Sequence, residues 1–175
     1  MKLRVGLLPI AGTDRSVLSD LAQDLSGRGF SVEILAEHPL PAGAHDTRRR
    51  QYRAEMFLDL ARRADGDLVL VVTEVDLYSA HLNFVFGLAE SAGTVAVISL
   101  YRLRAGADGP LVRERVLKEA VHELGHALGL SHCPDPRCVM HFSNSLDDTD
   151  LKESAPCRTC QQRFFSRLAA RAQHP

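Results

Sequence analysis

The run His122-Glu123-Leu124-Gly125-His126-Ala127-Leu128-Gly129-Leu130-Ser131-His132 carries three imidazoles and a carboxylate in an order that a helix makes sense of. On a helix, His122 and His126 stand one above the other on a single face. Glu123 is set about 100° round the axis, where its carboxylate can reach a water on a metal without ligating the metal. Gly129 can adopt positive φ, which ends the helix and turns the chain back, so that His132 arrives as a third ligand. Three protein ligands leave a fourth position for water, the layout of a catalytic rather than a structural zinc. A solvated polar helix face would account for two histidines four apart, but not for a third one placed after the glycine. His122, His126 and His132 are therefore the expected ligands of a catalytic zinc. Glu123 is the expected general base, taking a proton as water attacks a carbonyl carbon and passing it to the leaving amine.

The helix itself is legible on both sides of the motif. Pro110 after Gly109 suits a first helical turn. Val112, Val116, Leu117, Ala120, Val121, Leu124 and Leu128 form one apolar arc that leaves His122 and His126 outside it. The pattern predicts an active-site helix over 110–128, packed by its back on a sheet and facing a cleft with its histidines. Upstream, strands are expected at 3–9, 30–35 and 67–73, the last around the continuous apolar run Leu68-Val69-Leu70-Val71-Val72 of a buried central strand. Between them lie helices at 14–25, with Thr13 or Asp14 as N-cap, and at 48–64, with Tyr52, Met56, Phe57, Leu60 and Ala61 on the apolar face. Residues 38–46, rich in Pro and Gly, read as a loop. Strand, helix, strand, helix, strand is the order of a three-layer α/β arrangement with at least partly parallel pairing. Two more strands are expected at 83–88 and 94–101, and Gly87 suits an edge or a bulge better than a sheet centre. After Gly129 the periodicity is lost until a last helix at 161–172.

That irregular tail holds all four cysteines, Cys133, Cys138, Cys157 and Cys160, and none occurs before it. Two closely spaced pairs separated by 18 residues suit a closed, tetrahedral zinc site of structural type with four cysteine ligands. The segment between the pairs is polar and buries little surface, which a zinc would offset. The competing readings are a redox pair at Cys157 and Cys160, or plain buried thiols. Because Cys133 directly follows His132, two metals here must be neighbours, and the second would fix where the third ligand of the first one sits.

The chain has 175 residues, room for one domain with a real core or one domain split by a cleft. Its formal charge of −1, from 21 basic and 22 acidic residues, offers no electrostatic case for nucleic acid or anionic membranes. No apolar run approaches the length that spans a bilayer. The apolar start contains Pro9 and leads into Gly12-Thr13-Asp14 rather than a cleavage site, so it reads as a first strand and the protein as cytoplasmic. A monomer is expected. His38, His45, His81, His141 and His174 read as surface or loop residues, with His141 beside the cleft.

Residues 122–160 resemble the archaemetzincins, zinc peptidases of the metzincin clan, whose signature adds four cysteines to the metal-binding helix, the first directly after the third His. Here those fall on Cys133, Cys138, Cys157 and Cys160, with the Met of the family's Met-turn at Met140. Arg49-Arg50-Gln51-Tyr52, Asp76-Leu77-Tyr78 and Asn83-Phe84-Val85-Phe86-Gly87 also resemble family segments. The resemblance implies an α/β/α N-terminal part with a mixed five-stranded sheet ending in an antiparallel edge strand. It places a boundary near 129, with 1–129 including the active-site helix and 130–175 forming a small zinc-stapled part that ends in a helix. It implies two zinc ions per chain and an extended peptide or protein substrate paired with the edge strand, here expected at 83–88. Met140 becomes an apolar floor under the ligands. The implied activity is hydrolysis of peptide bonds. A peptide-binding module without catalysis would not need Glu123, and a thiol–disulfide protein would work through Cys157 and Cys160 alone.

Overall fold

The computed structural model describes residues 2–173, so His174 lies outside the described residues. The chain runs β1 (Arg4–Pro9), α1 (Arg15–Ser26), β2 (Ser31–Ile34), β3 (His45–Asp46), β4 (Gln51–Arg53), α2 (Glu55–Ala61), β5 (Leu68–Thr73), β6 (Leu77–Ser79), β7 (Leu82–Val85), β8 (Gly87–Ala89), β9 (Val95–Ser99), α3 (Leu100–Leu103), α4 (Gly109–Ala127), α5 (Leu146–Leu151) and α6 (Arg158–Gln173). The main sheet has the order β2-β1-β5-β9-β8. Its first four strands are mutually parallel and β8 pairs antiparallel with β9, Gly87 opposite Ile98 and Ala89 opposite Ala96. This is the expected mixed five-stranded sheet with an antiparallel edge.

The pleat sorts the core into two halves. Leu68, Leu70 and Val72 of β5 face one cluster with Leu18, Leu21 and Leu25 of α1 and Val116, Ala120 and Leu124 of α4. Val69 and Val71 face the other, with Phe57, Leu58 and Ala61 of α2. A strand buried on both faces needs an apolar residue at every position, which is why 68–72 is a run rather than an alternation. At about 1.5–3 kcal/mol per buried aliphatic side chain, this strand anchors the three layers. Cys138, Val139, Met140, Cys160 and Phe164 join the first cluster, and Phe164 meets Phe30 edge-on with ring centroids 6.0 Å apart. The cysteine-bearing tail is thus packed against the same core as α4.

Four expectations need correction, one of them the strand over 94–101, which stops at Ser99 because that residue caps the short helix α3. The helix expected over 48–64 survives only as α2, because Gln51–Arg53 is drawn into a second sheet of order β3-β4-β6-β7. Arg50 takes φ 56° to turn the chain there. Helical periodicity was real, but the backbone found strand partners in Asp76 and Tyr78. The strand expected over 83–88 is two strands in different sheets: β7 pairs with β6, β8 pairs with β9, and the chain crosses between them at Phe86. A candidate substrate edge therefore shifts to β8. Finally α5, read as irregular, is a short helix capped by Ser145 and Asp148 in a capping box.

Charged groups fasten α5 to α4. Arg115, buried on α4, donates through Nε and Nη2 to both carboxylate oxygens of Asp150 at 2.7 Å, and its Nη1 reaches the carbonyls of Leu103 and Ala105. That pairing holds the Asp150 carboxyl below the ordinary carboxylate range. A depressed folded pKa gives stability that is complete above the unfolded value of about 3.9 and is lost as pH falls toward the folded one. Arg115→Met is expected to cost about 3 kcal/mol at pH 7, the low end for breaking a buried pair because Asp150 keeps 34% exposure. The variant should also show a smaller drop in urea midpoint between pH 6 and pH 3 than the wild type.

Candidate functional site

Helix α4 starts and stops by local rules that set its histidines in place. Asp108 caps its N-terminus by accepting from the Leu111 N–H at 3.1 Å. At the other end Gly129 has φ 87°. Its N–H donates to the His126 carbonyl at 2.8 Å, and the Leu130 N–H to the Gly125 carbonyl at 2.9 Å, the paired bonds of a Schellman motif. The chain reverses there and brings His132 back. The ligating nitrogens available on His122, His126 and His132 all lie within 4.8 Å of one another.

Two of the rings are oriented by the backbone. His122 Nδ1 donates to the Val139 carbonyl at 2.7 Å, and His126 Nδ1 to the Leu130 carbonyl at 2.8 Å. Protons on Nδ1 leave Nε2 as a bare acceptor on each ring. The two Nε2 atoms face each other at 3.0 Å. Two lone pairs so placed repel unless a cation lies between them, and about 3.3 Å is the edge of a tetrahedron of nitrogens around zinc. Burial pushes His122 well below the usual imidazole pKa and lowers His126 and His132 as well, which favours the neutral form that ligates. The donor set fits zinc.

Glu123 is buried beside the triad and lines the same cleft, of about 450 Å³, as the three histidines. Burial, then the neighbouring Glu119 carboxylate, pushes it well above the usual range. Its approach to the edge strand depends on a glycine. A β-carbon on Gly87 would lie 2.7 Å from Glu123 Cγ, 2.8 Å from its Oε1 and 2.8 Å from the Val97 carbonyl oxygen. Gly125 plays the same part under the helix, where a β-carbon would overlap Met140 Sδ and stand 2.9 Å from its Cε. Gly87→Ala is expected to lower kcat/KM about 10²-fold with unchanged zinc content, since shifts near 1 Å at a reacting group cost that much. Kinetics and metal analysis on one preparation would check it.

The four cysteines converge as well. Their Sγ atoms lie within 4.8 Å of one another, and those of Cys133 and Cys157 are 3.8 Å apart. This is far too long for a disulfide and close to the edge of a tetrahedron of sulfurs around zinc. The Cys157 N–H donates to Cys138 Sγ at 3.2 Å. Helix α6 begins at Arg158, earlier than its periodicity suggested, so Cys160 sits in its first turn. All four thiols meet, rather than Cys157 and Cys160 alone. The two clusters are joined through the segment around Met140, which is fully buried: the Cys133 N–H donates to the Met140 carbonyl at 2.9 Å, and His141 Nδ1 to the Cys133 carbonyl at 2.8 Å. His141 thus braces the neighbouring cysteine.

Sequence reasoning missed two residues of the cleft. Glu119 stands one turn before Glu123 on the same face, a spacing that could have revealed it. Lys152, at the end of α5, is buried with its ammonium on the carbonyls of Val139 (3.3 Å) and His141 (3.0 Å). No local pattern announces it. A larger hollow of about 630 Å³ lies between α1 and the start of α4, but its Arg104 and Arg113 are already paired with carboxylates, and no metal-donor cluster among the described residues lines it.

Comparison with known proteins gives one family. The profile of peptidase family M54 matches residues 43–165. The archaemetzincin of Pyrococcus furiosus is 43% identical, over 96% of this chain and 95% of its own. That of Haloarcula marismortui is 40% identical, over 91% and 98%. Among solved structures, the archaemetzincin of Methanopyrus kandleri superposes with a TM-score of 0.88 at 38% identity, covering 96% of both chains. That of Archaeoglobus fulgidus, complexed with malonate, gives 0.84 at 39%, covering 92% and 99%.

Proposed function

The chain belongs to peptidase family M54, the archaemetzincins, and is a zinc metallopeptidase acting on peptides or proteins; from that premise we propose how its residues divide the work. His122, His126 and His132 hold the catalytic zinc through their free nitrogens. The observation that carries this is the pair of facing Nε2 atoms at 3.0 Å, each with its Nδ1 proton already given to a backbone carbonyl. Bound there, zinc supplies Lewis-acid polarisation of the scissile carbonyl and makes water a better acid. Glu123 takes the proton of the attacking water on its carboxylate and returns it to the nitrogen of the leaving amine. No serine or cysteine nucleophile is needed.

Substrate binds extended along the free edge of β8, antiparallel to it, with backbone hydrogen bonds supplying affinity. Met140 lies under the ligands as an apolar floor. Cys133, Cys138, Cys157 and Cys160 hold a second, structural zinc, for two zinc ions per chain. The division of labour falls near Gly129, with the sheet and α4 before it and the zinc-stapled part after it. Both donor clusters form within one chain, which supports a monomer. The charge of −1 supports a protein that binds neither nucleic acid nor membrane, and no described helix is long and apolar enough to cross one. A cytoplasmic location accords with four thiols kept reduced.

A diverse peptide mixture incubated with the zinc-loaded protein tests the reading. New peptide ends should appear by mass spectrometry, vanish after chelation and return on adding zinc. Cleavage that survives removal of all zinc would sink it.

A further inference from the structure

Beyond Glu123 the cleft ends in polar groups that the reaction does not use. Resting on the substrate orientation given above, we propose that Glu119 and Lys152 form a specificity subsite for the residue that follows the scissile bond, and that it takes a carboxamide side chain, Gln or Asn.

The direction of the substrate follows from β8. Gly87 sits against Glu123, while the turn after Ala89 lies nearly one helical turn further toward the C-terminus of α4, where the Ala92 N–H donates to the His126 carbonyl. A peptide antiparallel to β8 therefore enters over Ala89 and leaves over Gly87. The residue after the scissile bond lies past Glu123, toward Phe86, Glu119 and Lys152, which line this part of the cleft with Ser143.

Three observations give the subsite its chemistry. Glu119 is 4% exposed, and none of the ion pairs among the described residues includes it. Its carboxyl lines the cleft and shares a hydrogen bond with Glu123, with further acceptor positions on its two oxygens. Lys152 is 3% exposed and spends two of its three N–H donors on the Val139 and His141 carbonyls, leaving one. The buried hydroxyl of Ser143 has no hydrogen-bond partner. Buried polar groups without partners are costly, and a ligand that satisfies them recovers that cost. An aliphatic side chain would leave the spare Lys152 donor and the Ser143 hydroxyl unmet. An acidic one would add a third carboxyl beside Glu119 and Glu123, and a basic one a second ammonium beside Lys152. A carboxamide offers its N–H to Glu119 and its oxygen to Lys152 from one planar, neutral group.

Binding rather than turnover tests this. The probes are succinyl hydroxamates whose branch carries the side chain of Gln, Met, Glu or Lys, so that the hydroxamate meets the zinc and the branch meets the subsite. Titration calorimetry with the zinc-loaded wild type should give the Gln probe about 10- to 100-fold tighter binding than the near-isosteric Met probe, because a site built for hydrogen bonds rejects an analogue lacking them. Lys152→Met should erase that preference. Glu119→Gln, which keeps size and shape and serves if the lysine variant does not fold, should bring the Glu probe level with the Gln probe. A wild type that prefers Met, ratios unchanged in both variants, or no binding of any probe would overturn the subsite. Discrimination without cleavage of any peptide would instead leave the subsite standing and remove the peptidase mechanism.

Discussion

Glu123→Gln is expected to lower kcat about 10²- to 10⁴-fold on any peptide the wild type cleaves, the range that a positioned general base contributes. Gln keeps the volume of Glu and loses only the capacity to take the proton. The metal ligands are held by other contacts, His122 on the Val139 carbonyl and His126 on the Leu130 carbonyl, so zinc content should stay at the wild-type value. The same change should leave the fold as stable or more so. Burial and the Glu119 carboxylate both work against a charged Glu123, and a neutral amide relieves that opposition. Activity lost with stability retained is the signature of a residue kept for chemistry. A kcat within a few-fold of wild type, measured with zinc fully loaded, would remove Glu123 from the mechanism.

Replacing Cys157 and Cys160 together with Ser is expected to do the opposite, removing structure first and activity through it. Structural zinc in small domains contributes apparent binding energies of about 10–16 kcal/mol, which is also folding energy. Residues 130–171 have few buried apolar side chains of their own beyond Leu130, Cys138, Val139, Met140, Cys160 and Phe164. Without the metal, this segment should become sensitive to proteases while α4 and the sheet stay protected. The effect should reach the other site, because Cys133 is covalently next to His132 and its N–H is bound to the Met140 carbonyl, one residue from the carbonyl that orients His122. Loss of such supporting contacts costs about 10–100-fold in metal affinity. Zinc counting and competition with a chelator of known affinity would measure both steps. A double variant that keeps one tightly held, functional zinc would show the two centres to be independent.

The centre of the protein was legible because its chemistry is local. The spacing of His122 and His126, the turn at Gly129 and the cysteine pairs each obey rules that act within a few residues, and the structure brings those side chains together as the spacing implied. The buried run 68–72 was equally plain, since a strand covered on both faces has no polar positions. What escaped is what depends on distant partners. Gln51–Arg53 reads as helix by period and becomes a strand only because Asp76 and Tyr78 offer backbone groups to pair with. Gly87 was visible as an oddity in a strand, but its reason, the side chain of Glu123, is 36 positions away in the chain. Lys152 reaches the cleft only after α5 folds back along α4, so no window of sequence could place it there.

The proposed centre is a zinc in a histidine triad, braced by a second zinc in four thiolates and at work on peptide bonds. Titrating the metal-free protein with zinc, while following cleavage of a peptide mixture by mass spectrometry, tests it most directly. The expected result is two equivalents bound per chain, with cleavage reaching its plateau only when both are in place. A fully loaded protein that releases no new peptide ends, or one that reaches full activity with the cysteines free to react with a thiol reagent, would contradict it.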